Sequence, residues 1–452
     1  MSRRLGPIAV LAATAALSAC STAQRIGSIM PFGHHDNNQH AEPQDGRVSI
    51  LTFEQTLAPD PNLAGHTVVV PPVAPINDWQ QPGGTADNSP VHLAGQATLD
   101  VAWRANLGAG SSRRSHLAAP PVISEGKLFF LDADQRVHAL DAASGRQIWS
   151  EELRPHDSKD HRARGGGLAA AAGRVFVTTG FGFAVALDAS NGHEVWRAQV
   201  GAPFDAAPTV VGSRVYAVTN DSELISFDAA TGEQSWSYQA IAEPARILAA
   251  SSPAVDGDTV IAPFASGELI AFLSANGRRL WQDSLSRTGR LTSLSSINDI
   301  AGRPAIEDGV VYAASHSGVL TAIDVRTGTR LWARAFASTQ TPWIAGDVLY
   351  AVSVDGELAA FDKATGGVYW VRQLRRYEKE EDHKGRVAWA GPIMVGGKLI
   401  LANSLGEVVA VAPETGETGA HIDLHKPIFI PPIAADNQIY LVTDEARLVV
   451  LH

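Results

Sequence analysis

The stretch ALDAASGRQIW at residues 139–149 recurs along the chain as ALDASNGHEVW (186–196), SFDAATGEQSW (226–236), AFLSANGRRLW (271–281), AIDVRTGTRLW (322–332), AFDKATGGVYW (360–370) and AVAPETGETGA (410–420). Each copy ends a hydrophobic strand in a small-residue turn whose glycine keeps its place: Gly145, Gly192, Gly232, Gly277, Gly328, Gly366 and Gly416. In all copies but the last, a tryptophan follows four residues later. The glycines stand 47, 40, 45, 51, 38 and 50 residues apart. A period near 45 residues with about four short strands per unit predicts a β-propeller, one unit per blade.

The residue types explain themselves as scaffold. The Asp-x-x-x-Gly stretch turns the chain, with Asp accepting from nearby backbone N–H groups and Gly adopting positive φ. Tryptophan buries its ring between neighbouring blades, where a large aromatic contributes most. A catalytic group is needed once and a packing group once per blade, so repetition places these Trp and Asp residues in the framework. Upstream of each turn runs a second pattern of Pro-x-Val type, then a Gly- or Asp-containing hairpin and two further strands. PPVISEGKLFFLDADQRVHALD (120–141), APTVVGSRVYAVTNDSELISFD (207–228) and RPAIEDGVVYAASHSGVLTAID (303–324) are examples. β-branched runs broken by Gly, Asp and Asn predict strands throughout residues 97–452 and no helix of useful length.

The last copy, PPIAADNQIYLVTDEARLVVL (431–451), stops where its outer strand should follow. The missing strand stands at the other end of the domain, in ATLDVAWRANLG (97–108) with Trp103. The expected fold is therefore all-β: an eight-bladed propeller of four-stranded antiparallel blades, closed by the N-terminal strand joining the C-terminal blade. Closure of this kind removes an open sheet edge.

Composition agrees with one large radial domain. Charged residues make up 18% of the 452, and the formal charge is −11. An acidic chain without a basic run argues against a nucleic-acid partner. The mixed cluster RRYEKEEDHK (375–384) reads as a solvated loop between blades 6 and 7.

At the N-terminus, MSRRLGPIAVLAATAALSAC combines a basic start with a short apolar stretch, a secretory signal too short to span a membrane. Its end, Leu17-Ser18-Ala19-Cys20, resembles the lipobox of bacterial lipoproteins. Cys20 is the sole cysteine of the chain. The resemblance implies lipidation of Cys20 after removal of residues 1–19, and Ser21 in the following position implies the outer membrane. Several acyl chains on one cysteine hold firmly where one would not. Residues 20–95 are expected to be a lipidated tether followed by a segment along the propeller rim, and residues 96–452 the propeller, folding without them. The tether is rich in Pro, Asn, His and Gln, and its histidines read as polar linker.

Repeats, lipobox and tether together resemble the BamB family of lipoproteins of the outer-membrane β-barrel assembly machinery. The segment LSSINDIAGRPAIEDGVVYAASHSGVLTAID (294–324) is similar to the family's approach to its fifth blade. There the resemblance implies an aspartate that contacts the assembly subunit BamA; the match falls on Asp299, flanked by Asn298 and Ile300. The family's second contact loop, a Leu-x-Leu-Arg stretch, aligns with AEPARILAASSPAV (242–255) and so with Arg246, Ile247 and Leu248. Ala245 stands in place of its first leucine and Leu248 in place of its arginine. The implied role is a non-enzymatic scaffold, docked on BamA and other subunits of the complex, aiding unfolded β-barrel proteins from the periplasmic face of the outer membrane.

The same propeller carries quinoprotein dehydrogenases, which use pyrroloquinoline quinone and Ca²⁺ and resemble one another in a vicinal cysteine pair. A chain with one cysteine cannot form that pair. Asp-x-Asp-x-Asp-Gly, Gly-x-Ser-x-Gly and His-Glu-x-x-His motifs are absent from the sequence. No catalytic, cofactor-binding or metal-ligating residue is expected.

Overall fold

Each repeat turn joins the third strand of a four-stranded antiparallel sheet to its fourth. The computed structural model describes residues 57–117, 119–155, 163–241, 251–286 and 299–452. Among them the chain builds eight such sheets and one two-stranded hairpin. Blades 1 to 7 use consecutive strands over residues 122–152, 166–199, 209–239, 254–284, 305–335, 343–373 and 389–423. The short first strands of successive blades approach one another around the axis, and the fourth strands form the circumference.

Blade 8 is assembled from both ends of the propeller. Ile433–Ala435, Gln438–Val442 and Arg447–Leu451 supply three strands, and Val101–Asn106 supplies the outermost. That closing pair is antiparallel, with Trp103 opposite Val450 and Asn106 opposite Arg447. Leu99 and His452 extend the closure through backbone hydrogen bonds Leu99 N–H to His452 O (2.9 Å) and His452 N–H to Asp100 O (3.0 Å). The closing strand is that expected within residues 97–108.

The repeat turn works as a socket. In blades 1 to 6 each outer-strand Trp packs on the turn glycine of the next blade. A Cβ added to Gly192, Gly232, Gly277, Gly328, Gly366 or Gly416 would meet Trp149, Trp196, Trp236, Trp281, Trp332 or Trp370 at 2.5–2.7 Å. These glycines also have φ between +68° and +79°, so both their backbone and their missing side chain are required. Each indole N–H then donates to a backbone carbonyl of that next turn, as Trp149 does to Ala189 O (3.1 Å) and Trp370 to Pro413 O (2.9 Å). The strand pairing shifts register beside every such turn, for example between Ala139 and Leu140. A bulge of this kind sharpens the local twist that a propeller blade needs.

Blade 7 departs from the pattern for a reason of topology. Its outer strand, Thr418–Asp423, carries Ala420 where a Trp would stand. The next blade joins its third and fourth strands through the two ends of the domain, so it has no turn glycine to receive an indole.

Of the residues before the ring, Asp60 donates its N–H to Val368 O of the outer strand of blade 6 (2.8 Å), and the stretch from Ala74 onward lies at the axis. Residues 74–95 run around the inner strands: Ile76 O accepts from Asp436 N–H of blade 8, and Trp79 pairs in both directions with Ile123 of blade 1 (2.8 Å each). Gln80 O accepts from Ala170 N–H of blade 2, and the Gln81 side chain brackets Val210 of blade 3. Ala86 and Asp87 accept from Val255 and Ile306 of blades 4 and 5, and Leu93 donates to Met394 O of blade 7. Of the segment expected along the rim, residues 60–63 lie against the outer strand of blade 6, and residues 74–95 are instead an axial plug. Its polar backbone groups find partners on the free edges of the inner strands. The cluster at 375–384 contributes to an exposed hairpin, Tyr377–Lys379 with Lys384–Arg386, in keeping with a solvated insertion.

Candidate functional site

The residues singled out for partner contact fall on two connections between adjacent blades. Residues 242–250 stand between the outer strand of blade 3 (Gln234–Gln239) and the inner strand of blade 4 (Ala254–Asp256). Residues 287–298 stand between Arg279–Ser284 of blade 4 and Ala305–Glu307 of blade 5. Arg246, Ile247, Leu248, Asn298 and, at the N-terminus, Cys20 lie outside the described residues.

What is described shows the two connections tied together where they re-enter the ring. Ser251 Oγ donates to Gly302 O at 2.9 Å in a buried contact. Asp299 is 5% exposed and Ile300 1%. Ile300 belongs to the apolar cluster between blades 4 and 5, with Trp281, Leu285 and Ile306. Asp299 O accepts from His316 N–H (3.0 Å), which fastens this residue to the second turn of blade 5. Asp299 is therefore an interior anchor in this protein and not an exposed side chain, a placement its sequence context did not reveal.

A buried histidine–aspartate pair lies at the closing seam. His138 Nε2 and Asp132 Oδ2 are 2.9 Å apart, both nearly inaccessible. Burial alone would raise the Asp132 pKa. The contact with His138 and the N–H donors of Ala109 and Arg136 outweigh it and hold the carboxyl below its ordinary range. The pair fixes residues 108–109, which continue from the closing strand, so its role is structural.

A third feature is a small recess at the axis with room for about 20 Å³. Trp79 and Asn88 of the plug line it, with Arg303, Gln340, Trp343 and Pro392 of blades 5 to 7. Nothing in the sequence reading had drawn attention to Arg303. The available signal was positional, because the equivalent places in the other blades hold small or ring-closed residues. Among the described residues no group of three or more His, Cys, Asp or Glu side chains is arranged to hold a metal ion.

The sequence profile of the family described as outer membrane protein assembly factor BamB matches residues 85–172 and 133–372. Relatives of that description include the protein of Yersinia pestis, 28% identical over 241 residues, covering 52% of this chain and 61% of that protein. The Escherichia coli (strain K12) protein is 24% identical over 246 residues, covering 54% and 62%. The matched stretch thus spans about six tenths of the relatives' length. Among solved structures, BamB of Moraxella catarrhalis superposes with a TM-score of 0.65 at 19% identity, over 78% of this chain and 99% of that one. A europium-containing methanol dehydrogenase gives 0.67 at 15% identity, over 81% and 89%. At such identities these structures speak for the fold alone, which they share.

Proposed function

The chain belongs to the family of the outer membrane protein assembly factor BamB, and from that membership we propose that it is a non-enzymatic scaffold of outer-membrane protein assembly. In this reading Cys20 carries lipid, the chain is held at the periplasmic face of the outer membrane, and the propeller docks on BamA within the assembly complex. The dehydrogenase alternative loses its support with the missing vicinal cysteines.

The observation that carries the docking proposal is the bond between Ser251 and Gly302. It joins the ends at which two neighbouring interblade connections re-enter the ring, and the residues matched to the family's contact loops, 246–248 and 298–300, stand shortly before those ends in the sequence. A bond that holds Ser251 and Gly302 together fixes the points from which both connections start, which lowers the entropy cost of using them jointly in binding. We assign contact to Arg246, Ile247, Leu248 and Asn298, and to Asp299 and Ile300 the holding of the second connection.

The circumference suits the second part of the role, transient reception of unfolded β-barrel chains. Ile148, Val195, Leu280 and Leu331, each just before a docked tryptophan, are exposed on the outermost strands of blades 1, 2, 4 and 5. An outer strand with an open edge and exposed aliphatic side chains can accept an incoming β-segment through main-chain hydrogen bonds, without reading its sequence.

The test is affinity capture of the tagged full-length chain from detergent-solubilised envelopes, with mass spectrometry of what comes with it. BamA among the captured proteins is the expected result. Capture of a different envelope complex without BamA would overturn the reading.

A further inference from the structure

Strand direction alternates within each blade, so the second turns and the interblade connections share one end of the ring. The first hairpins and the repeat turns take the other end. The residues matched to partner contact belong to the connecting end, on the connections into blades 4 and 5. On the far side of the axis, the connections into blades 8, 1 and 2 form a run of their own.

Hydrogen bonds fasten that run from blade to blade. Asp444, in the second turn of blade 8, donates its N–H to Pro427 O of the connection into that blade (2.8 Å). Its carbonyl accepts from Ser111 N–H of the connection into blade 1 (2.7 Å). Arg164, ending the connection into blade 2, donates to the carbonyls of Arg113 (3.0 Å) and Arg114 (3.2 Å). Gln135, from the second turn of blade 1, donates to Gly165 O and accepts from Gly180 N–H of blade 2, each at 3.0 Å. Ser112 shapes the loop tip, its Oγ accepting from Arg114 N–H and Ser115 N–H (3.3 and 3.2 Å).

Charge and exposure set this run apart. Arg113, Arg114 and Arg164 are all exposed, and none forms an ion pair among the described residues, in a chain whose formal charge is −11. Carboxylates on the adjoining turns are engaged elsewhere, Glu445 with Lys426 (2.6 Å) and Asp132 with His138 (2.9 Å). Asp134 and Asp444 pair with none of the three arginines. The consecutive arginines of the exposed hairpin differ, since Arg375 is tied to Glu407 and Arg376 to Asp355. Phe429, two residues beyond Pro427, is 51% exposed between the buried Ile428 and Ile430, and is the one exposed phenylalanine among the described residues. Arginine and aromatic side chains are the types enriched where proteins bind one another, and they carry much of the binding energy there.

We propose that this arc is a second docking surface, and that its occupant is an acidic protein surface, with carboxylates on Arg113, Arg114 and Arg164 and an apolar side chain on Phe429. Guanidinium groups take carboxylates through paired hydrogen bonds that an ammonium cannot match. The acidic remainder of the chain repels such a partner elsewhere and so directs it to this arc. Which complex supplies the partner rests on the scaffold reading, in which the ring joins two proteins on opposite arcs of one face.

The probe is a fluorescein-labelled peptide of four Glu, two Leu and four Glu, titrated with the full-length chain in neutral detergent and followed by anisotropy. It should bind at about 50 mM salt and be released at about 500 mM. Arg113→Glu combined with Arg114→Glu should weaken binding at least about tenfold, and Phe429→Ser several-fold, with unfolding midpoints unchanged. Arg278→Glu with Arg279→Glu, an exposed pair at the other end of the ring, should leave binding as it was. The proposal falls if the peptide does not bind at low salt or if the control pair loses as much. It falls too if phosphatidylglycerol added to the micelles displaces the peptide, which would make an anionic lipid surface the occupant. BamA takes no part in this measurement, so its outcome is separate from that of the scaffold reading.

Discussion

Trp103 lies against Gly145 of the next blade so closely that a Cβ on that glycine would meet the indole at 2.5 Å. These residues come from the strand that closes blade 8 and the first repeat turn of blade 1, so the contact spans the seam of the ring. It repeats the interblade contact found six times elsewhere, with one difference: the Trp103 indole N–H has no acceptor. The carbonyl of Ala142, in the turn that receives this indole, accepts instead from the Tyr440 hydroxyl of blade 8 (3.4 Å). Trp103 also meets Tyr440 edge to face, ring centres 6.5 Å apart.

Trp103 is partly buried, so Trp103→Ala should cost about 2–3 kcal/mol, below the range for truncating a fully buried aromatic. Gly145→Val should cost at least roughly 2 kcal/mol, since a β-branched residue is strained at φ +69° and also strikes the indole. Chemical denaturation of each variant measures both. If Trp103→Ala unfolds at the wild-type midpoint, the seam is held by the strand pairing alone.

Truncation separates the plug from the tether. A chain beginning at residue 57 should unfold at the full-length midpoint. One beginning at residue 96 loses the hydrogen bonds to the inner strands of seven blades and the buried Trp79, and should unfold many degrees lower. The expectation from sequence is a ring that folds without residues 1–95, and the contacts of residues 74–95 predict that such a ring is much less stable. Equal midpoints for the two truncations would count against this.

The fastened connections can be tested without disturbing the core. Replacing Arg246, Ile247 and Leu248 together by Ser should reduce BamA co-purification at least tenfold with a midpoint change of a degree or two. Asp299→Asn should reduce it less and lower the midpoint more, because Asp299 is interior. The reverse ranking, Asp299→Asn abolishing capture with no loss of stability, would make Asp299 the contact residue.

Acid should act on the seam through Asp132. Its folded-state pKa lies below the ordinary 3.8, so the carboxylate contributes stability that is fully present above that value. That contribution is lost as pH falls through the lower, folded value. Asp132→Asn should lower stability at pH 7 by roughly 1–3 kcal/mol and flatten the acid limb of the stability curve below about pH 4. An unchanged acid limb, measured by denaturation at stepped pH, would remove Asp132 from this role.

Cys20→Ala should leave the propeller folded and free it from the outer-membrane fraction, as fractionation with a high-salt wash would show. Continued sedimentation with membranes would mean that another part of the chain binds them.

The repeat, the blade number and the closing strand were legible in the amino-acid sequence because each rests on local chemistry repeated many times. A turn with positive φ needs Gly145 or its equivalents wherever it occurs, and an indole four residues on announces its socket. Even the missing tryptophan at Ala420 was visible, although its reason was not. That reason is an absent turn in a different blade, brought alongside only by closure of the ring.

Single features were not legible, since they depend on groups far apart in the chain. The path of residues 74–95 along the axis is set by unpaired inner-strand edges from residues 123 to 436, which no local pattern encodes. Asp299 looked like a surface carboxylate and is enclosed because the second turn of blade 5 and the core between blades 4 and 5 surround it. Arg303 shares the lining of the axial recess with Trp79 and Trp343, 224 residues behind it and 40 ahead, only because the ring brings them together. Periodic local preferences determine that this chain is a ring of blades. Burial and charge at its axis and seam depend on long-range juxtaposition, and the tertiary structure alone decided them.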